Sequence, residues 1–291
     1  MLELIRIELF KIFRKPRTFI AFLAITAIVG LIQMGFYVDG ESYINFGMQA
    51  LADSFDVNGK VLNGYLLAYI ILQTLLVHVP LLIALVSGDM ISGEANMGTL
   101  RLLITKPVSR ARLITAKFLA SSLYTLLLLI WMAIWALLIS MLVFGTDDMI
   151  IMKSEVVTQI LERDVMWRYF AAFGFAALAM ITVSSLAFFL SIFAENSIGP
   201  IIACMSIVIV FTILNTLNLP IFNSVKPYLF TSHMLGWKGF FDVKVNADNE
   251  QIIGSVENLG AVMRSAAILL VHIVGFWVAS IVVFRRKDIM S

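Results

Sequence analysis

A chain of 291 residues that is 60% hydrophobic and 14% charged, with a mean hydropathy of +0.96, carries more apolar surface than a soluble domain of its size can bury. A soluble enzyme is excluded and a polytopic membrane protein is implied; at about 20 apolar residues per helical crossing, roughly six or seven crossings fit, with no room for a separate catalytic domain. The net charge of +2 is unremarkable, and a single cysteine, Cys204, excludes a disulfide framework and a thiol or zinc cluster.

Residues 1–17 place Leu2, Ile5, Leu9, Ile12 and Phe13 at helical spacing, with Glu3, Arg6, Lys11 and Arg14 elsewhere on the wheel. That pattern predicts a helix lying in the membrane interface, with Pro16 marking the bend into the first crossing. Apolar runs then predict crossings over 18–38, 64–87, 113–144, 169–194, 198–217 and 262–284. The first run is too long for a signal peptide and is expected to stay as an uncleaved anchor. The intervening loops 39–63 and 145–167 read as polar, with a helix-like stretch from Ser154 to Arg163 in the second. Loop 218–261 is longer and rich in aromatic residues, which suits a segment dipping back into the interface.

Thirteen of the 21 basic residues flank one set of membrane ends, from Arg6 to Arg17, Arg101 to Lys117 and Arg285 to Lys287. The positive-inside rule therefore places both termini and segment 88–117 of a multi-pass protein in the cytoplasm. The fold class expected is all-α: six crossings, an N-terminal interfacial helix on membrane lipid and a cytosolic helix in loop 88–112.

Catalytic apparatus is absent from the sequence. It contains no Gly-x-x-x-x-Gly-Lys phosphate loop, no His-Glu-x-x-His pair and no Gly-x-Ser-x-Gly elbow, so the chain is not expected to be an enzyme, and neither a metal site nor a nucleic-acid partner is predicted. His78 and His272 fall in crossings, where one interhelical hydrogen bond each, or a place near an interface, is the simplest role. Gln73, Thr74, Asn215 and Thr216 interrupt apolar runs and are candidates for lining a pathway, although helix-helix hydrogen bonding explains them equally well. Ala172, Gly174, Ala176, Ala177 and Ala179 read as a packing patch.

The charged island between the second and third crossings carries the most information. Glu94 precedes Gly98-Thr99-Leu100-Arg101, then Leu103 and Pro107-Val108-Ser109-Arg110, with Lys117 in the next helix. Pro107 is predicted to stop a short helix and Ser109 to cap the following one. A short helix tethered at both ends to crossings is a lever, and Glu94 is placed to pair with the island's own arginines or with a partner's cation.

At these residues the chain resembles the membrane subunit of type-2 bacterial ABC transporters, the ABC-2 permease family. The resemblance implies that the island is a coupling helix docking on a cytosolic ABC ATPase through Glu94, Gly98, Thr99, Leu100, Arg101, Leu103, Pro107, Val108, Ser109 and Arg110. Leu100, Leu103 and Val108 would be its apolar knobs. It further implies two ATPase copies, a second permease that is identical or related, and ATP and Mg bound only by the ATPase, with no cofactor in this chain. Export of an amphipathic or lipid-linked molecule across a bacterial cytoplasmic (inner) membrane is the leading expectation. The alternatives are a mechanotransmitter acting on a periplasmic or envelope partner through loop 218–261, and an ATP-independent secondary transporter.

Overall fold

A computed structural model describes residues 1–49, 61–100, 108–152, 157–217, 219–246 and 251–287. The chain is a mostly helical multi-pass membrane protein. Among the described residues five helices are long and apolar enough to cross a membrane, or six when the bent helix Gly64–Ser87 counts as one span.

Helix α1, Leu2–Phe13, lies against the bundle with Glu8 and Ile12 buried. The chain breaks at Arg14 and Lys15, and Pro16 opens α2, Pro16–Gln49. Proline fits this first position because its missing N–H would be unpaired there in any case. α2 continues well beyond the expected end at residue 38; Asp39, Glu41 and Ser42 read as a loop, yet a long helix carries polar residues once it leaves the apolar layer.

α3, Gly64–Ser87, is capped by the Asn63 side chain, which accepts from the Leu66 N–H. Its halves, Gly64–Leu75 and His78–Ser87, are inclined by 54°. Pro80 lies inside it and lacks the N–H that would bond the carbonyl four residues earlier, which permits the bend. The short α4, Ser92–Asn96, follows, and helical backbone resumes at Thr99.

α5 spans Arg110–Phe144, starting three residues before the expected crossing, with Ser109 as its N-cap. Residues Ile134–Ile139 form a π-helical turn. The widened turn presents the Trp135 carbonyl to Gln33 of α2, whose Nε2 donates to it at 2.8 Å and to Ser140 Oγ at 3.0 Å.

The mostly helical fold carries one short hairpin that was not expected. Strands β1, Met149–Met152, and β2, Val157–Ile160, pair antiparallel, with Met149 opposite Ile160 and Met152 opposite Val157. The helix-like stretch from Ser154 to Arg163 is therefore divided between β2 and the next helix; residues 153–156 lie outside the described residues. The β-branched run around Val157 and Thr158 suits a pleated pair.

α6, Glu162–Ser191, begins seven residues before the expected crossing at 169 and thereby takes Asp164 and Arg168 into its first turns. α7 is Ile198–Thr216 and α8 is Leu259–Arg286, the latter longer at both ends than 262–284. Between them, loop 218–261 is built of short 3-10 and α turns from Pro220 to Phe241. Phe230, Trp237 and Phe241 are buried, and Phe241 packs edge-on against Tyr69 and Tyr169, so much of the loop's aromatic surface faces the bundle.

Where α3 ends, hydroxyls from three helices close a triangle. Ser87, Ser121 and Ser184 are buried, with Oγ separations of 2.8, 2.8 and 3.0 Å. Hydroxyls donate and accept at once, so each satisfies the next in an apolar surrounding. His78 and His272 bond along their own helices, donating to the carbonyls of Thr74 and Ile268, and not across helices as expected. Of the small-residue patch on α6, Ala172 and Ala179 are buried while Gly174 is exposed, since the five positions do not share one helix face.

Candidate functional site

One end of the bundle gathers the start of α2, the segment after α3, the start of α5, the α6–α7 turn and the end of α8. Gly88 leaves α3 where a side chain would strike the Ala84 carbonyl and Ile201 of α7, so the close approach requires glycine. Asp89 follows, 2% exposed. Its carboxylate pairs with Lys15 at 2.5 Å and Arg17 at 2.7 Å and accepts a hydrogen bond from Ser197 Oγ. Gly93 lies against that carboxylate and leaves no room for a Cβ.

One turn later Glu94 enters a second cluster. Lys11 Nζ lies 2.7 Å from Glu8 and 2.9 Å from Glu94, and Lys117 Nζ lies 2.7 Å from each of the same two carboxylates. Two anions and two cations thus alternate in a closed ring drawn from α1, α4 and α5. Lys117 is 1% exposed and Glu8 and Glu94 are buried, while Lys11 is part-exposed at the edge. Burial pushes the Glu8 carboxyl up, but Lys117 and Lys11 outweigh it and hold the group below its ordinary value. For Lys11, burial acts downward and is outweighed by Glu8 and Glu94, which hold the ammonium above its ordinary value. Each ion is stable here only because its neighbours replace the water it has lost.

Glu94 therefore pairs with lysines of α1 and α5, where the island's own arginines were one expected partner. Leu100 is 3% exposed and packs in the chain's own core, so the leucine expected as a partner-facing knob is buried in this chain. Arg110 donates to the carbonyls of Arg285 and Lys287 at 3.1 and 3.0 Å, capping the end of α8, where cations complement the helix dipole. Ser109 is exposed, and its hydroxyl accepts from the Arg112 N–H. Val108 is half-buried. Gly98 adopts a φ of 69°, a left-handed turn, and Thr99 donates to the Glu94 carbonyl. Arg101, Leu103 and Pro107 lie outside the described residues.

Among the described residues of segment 88–110, the tip Asn96-Met97-Gly98 is exposed together with Ser109, and Met97 is 59% exposed. Between the tip and α1 runs a groove walled by Phe10, Ile12, Met90 and Met97, with Lys11 and Glu94 on its floor and Arg14 among its lining residues. The Arg14 guanidinium stacks 5.2 Å over the Phe10 ring and makes no ion pair among the described residues.

The candidate pathway residues are engaged separately. Gln73 accepts from Lys238, Thr74 donates to the Ile70 carbonyl, Asn215 accepts from Ser232 and Thr216 donates to the Ile213 carbonyl. No hydrogen bond among the described residues links one pair to the other.

At the opposite end Asp164 and Arg168 form an ion pair of 2.6 Å, with both side chains buried. Arg168 also donates to the carbonyls of Phe240 and Ser255, and Asp164 accepts from the Trp167 indole and the Gly254 N–H. This pair holds both limbs of loop 218–261 against α6. Sequence reasoning passed over Glu8, Asp89, Asp164 and Arg168. The signal for Glu8 was present: it shares a helix face with Ile5 and Ile12, where an acid has no reason to be unless a cation meets it.

A stretch of 116 residues is 25% identical to the uncharacterized protein YhcI of Bacillus subtilis (strain 168), covering 39% of this chain and 37% of that protein. A family model described as "Protein of unknown function (DUF2705)" matches residues 23–290, and with nearly its whole length matched the chain belongs to that family.

Proposed function

We propose that the chain is the membrane-spanning permease subunit of an ATP-binding cassette exporter, in which the 88–110 segment and α1 together seat a separate cytosolic ATPase. The assembly would contain two ATPases, which bind ATP and Mg, and a second permease. Both termini would face the cytoplasm from a bacterial inner membrane. The observation that carries the reading is the charge ring of Glu8, Lys11, Glu94 and Lys117. A force on the exposed tip at Met97 passes through Glu94 into α1 and α5 at once, because a rigid ionic junction joins all three elements. A lever that must move spanning helices needs such a junction at its root.

Loop 218–261 supports export over mechanical work on an envelope partner. A docking platform would present its aromatic residues, and here Phe230, Trp237 and Phe241 are turned inward, with Tyr228 the one exposed aromatic side chain among the loop's described residues.

The test is purification of the tagged chain from its native membrane with identification of bound subunits. A co-purifying subunit that carries a phosphate loop and hydrolyses ATP is expected, and Met97→Asp is expected to release it while the permease keeps its unfolding temperature. Purification without any ATPase, or undiminished ATPase binding by the Met97→Asp protein, overturns the proposal.

A further inference from the structure

Far from the charge ring, near the end of the bundle that carries the β-hairpin, α2 and α3 diverge and leave a groove of about 650 Å³. Its size is that of a small-molecule site, for which about 300–1,000 Å³ is typical. The α2 wall is one helical face, since Ile32, Gly35, Phe36, Asp39 and Tyr43 recur at spacings of three and four. Ile70 and Thr74, one turn apart on α3, form the facing wall. Thr74 spends its hydroxyl proton on the Ile70 carbonyl. The deep part is therefore apolar.

The rim is different. Among the described residues Asp39, which is exposed, makes no ion pair or hydrogen bond and is the only charged side chain lining the groove. On the same helical face, one turn to either side of it, stand Phe36 and Tyr43, whose rings meet edge to face with centroids 5.6 Å apart. An unpaired carboxylate beside two aromatic rings attracts a cation by charge and by the ring quadrupoles together. Leu31 lies eight positions before Asp39, about 12 Å deeper at 1.5 Å per residue, so the apolar channel has the reach of an aliphatic chain.

We propose that this groove binds a single-chain amphiphile with a cationic head, its ammonium or guanidinium against Asp39, Phe36 and Tyr43 and its tail along Leu31, Ile32 and Ile70. Binding stands without any assumption about transport; only the identification of such a molecule as cargo rests on the permease reading. Gly35 supplies a clean test, because a Cβ there meets nothing within 4 Å. A leucine at this position enters the groove without disturbing the helix.

The experiment measures saturable binding of radiolabelled decyltrimethylammonium, below its micellar concentration, to the purified chain in phosphatidylcholine nanodiscs. Decyl sulfate and decyl maltoside serve as competitors. Asp39→Asn is expected to weaken binding by about tenfold, the equivalent of one well-placed charge, and Gly35→Leu to abolish it. Gly30→Leu, on the same helix outside the groove, is expected to bind like the parent. Equal competition by decyl sulfate, or parental affinity in Asp39→Asn, reduces the groove to a crevice filled by membrane lipid and overturns the proposal. So does an absence of saturable binding, and the permease reading then still stands or falls by ATPase co-purification alone.

Discussion

The two ends of the molecule use buried charge in opposite ways. At the end carrying the termini, Glu8, Lys11, Glu94 and Lys117 come from three separate elements, and every ion touches two of opposite sign. At the other end Asp164 and Arg168 are one helical turn apart on α6 and spend their remaining capacity on backbone groups of a loop. The first arrangement welds helices to one another; the second straps irregular chain onto a helix. Buried ion pairs add little net stability but are costly to break, so both ends are positional devices, and they differ in what is positioned.

That contrast is broken most severely by Lys117→Met, which leaves two buried carboxylates facing each other with only the part-exposed Lys11 between them. A loss of about 3–5 kcal/mol is expected, read as a lowered unfolding temperature in detergent micelles, with partial recovery when Glu94→Gln is added. At the strap, Arg168→Lys keeps the charge and loses the planar fork that reaches Asp164 and two carbonyls together; about 2–3 kcal/mol is expected. Proteolysis should then cut loop 218–261 faster, whereas Lys117→Met leaves that loop's cleavage rate unchanged. Gly93→Ala forces a methyl group onto the Asp89 carboxylate and is expected to cost about 1–3 kcal/mol without touching the ring. Ser121→Ala, in the serine triangle, costs about 1 kcal/mol, because Ser87 and Ser184 remain hydrogen-bonded to each other.

The smallest effect is that of pH near neutrality. Glu8 is held below 4.5, so its contribution is complete above that value and is lost as pH falls through the lowered one. Lys11 is held above 10.5, so its contribution is complete below that value and is lost as pH rises through the raised one. Unfolding temperatures measured from pH 6 to pH 8 are expected to be flat as far as the ring is concerned; a drop centred inside that window that disappears in Glu8→Gln would mean that a ring member titrates near neutrality, against those directions.

The helical, multi-pass character was legible because apolar runs of crossing length leave a chain few alternatives. Polar helix extensions were less so: Glu162 to Arg168 and Asp39 to Gln49 look like loop sequence, and in the first it is the buried Asp164–Arg168 pair with its loop partners that holds polar residues on a helix. The hairpin was hidden by brevity, since four-residue strands carry almost no periodic signal. The ring's members were visible singly, but their mutual pairing was not. Glu94 meets Lys11 across 83 positions and Glu8 meets Lys117 across 109, separations over which no spacing rule operates.

The π-helical turn at Ile134–Ile139 has a consequence for comparing relatives. Such a turn accommodates about one residue more than an α turn, and one residue is worth about 100° of rotation around a helix axis. Residues from Ser140 onward are thus rotated out of phase with those before Ile134, and a helical wheel drawn through all of α5 mixes its inner and outer faces. Loss of a single codon in this stretch would shift the phase of every later residue of the helix and orphan the Gln33 amide. A one-residue gap here, coupled to a change at position 33, is therefore the sequence signature by which a straightened α5 would announce itself in a relative.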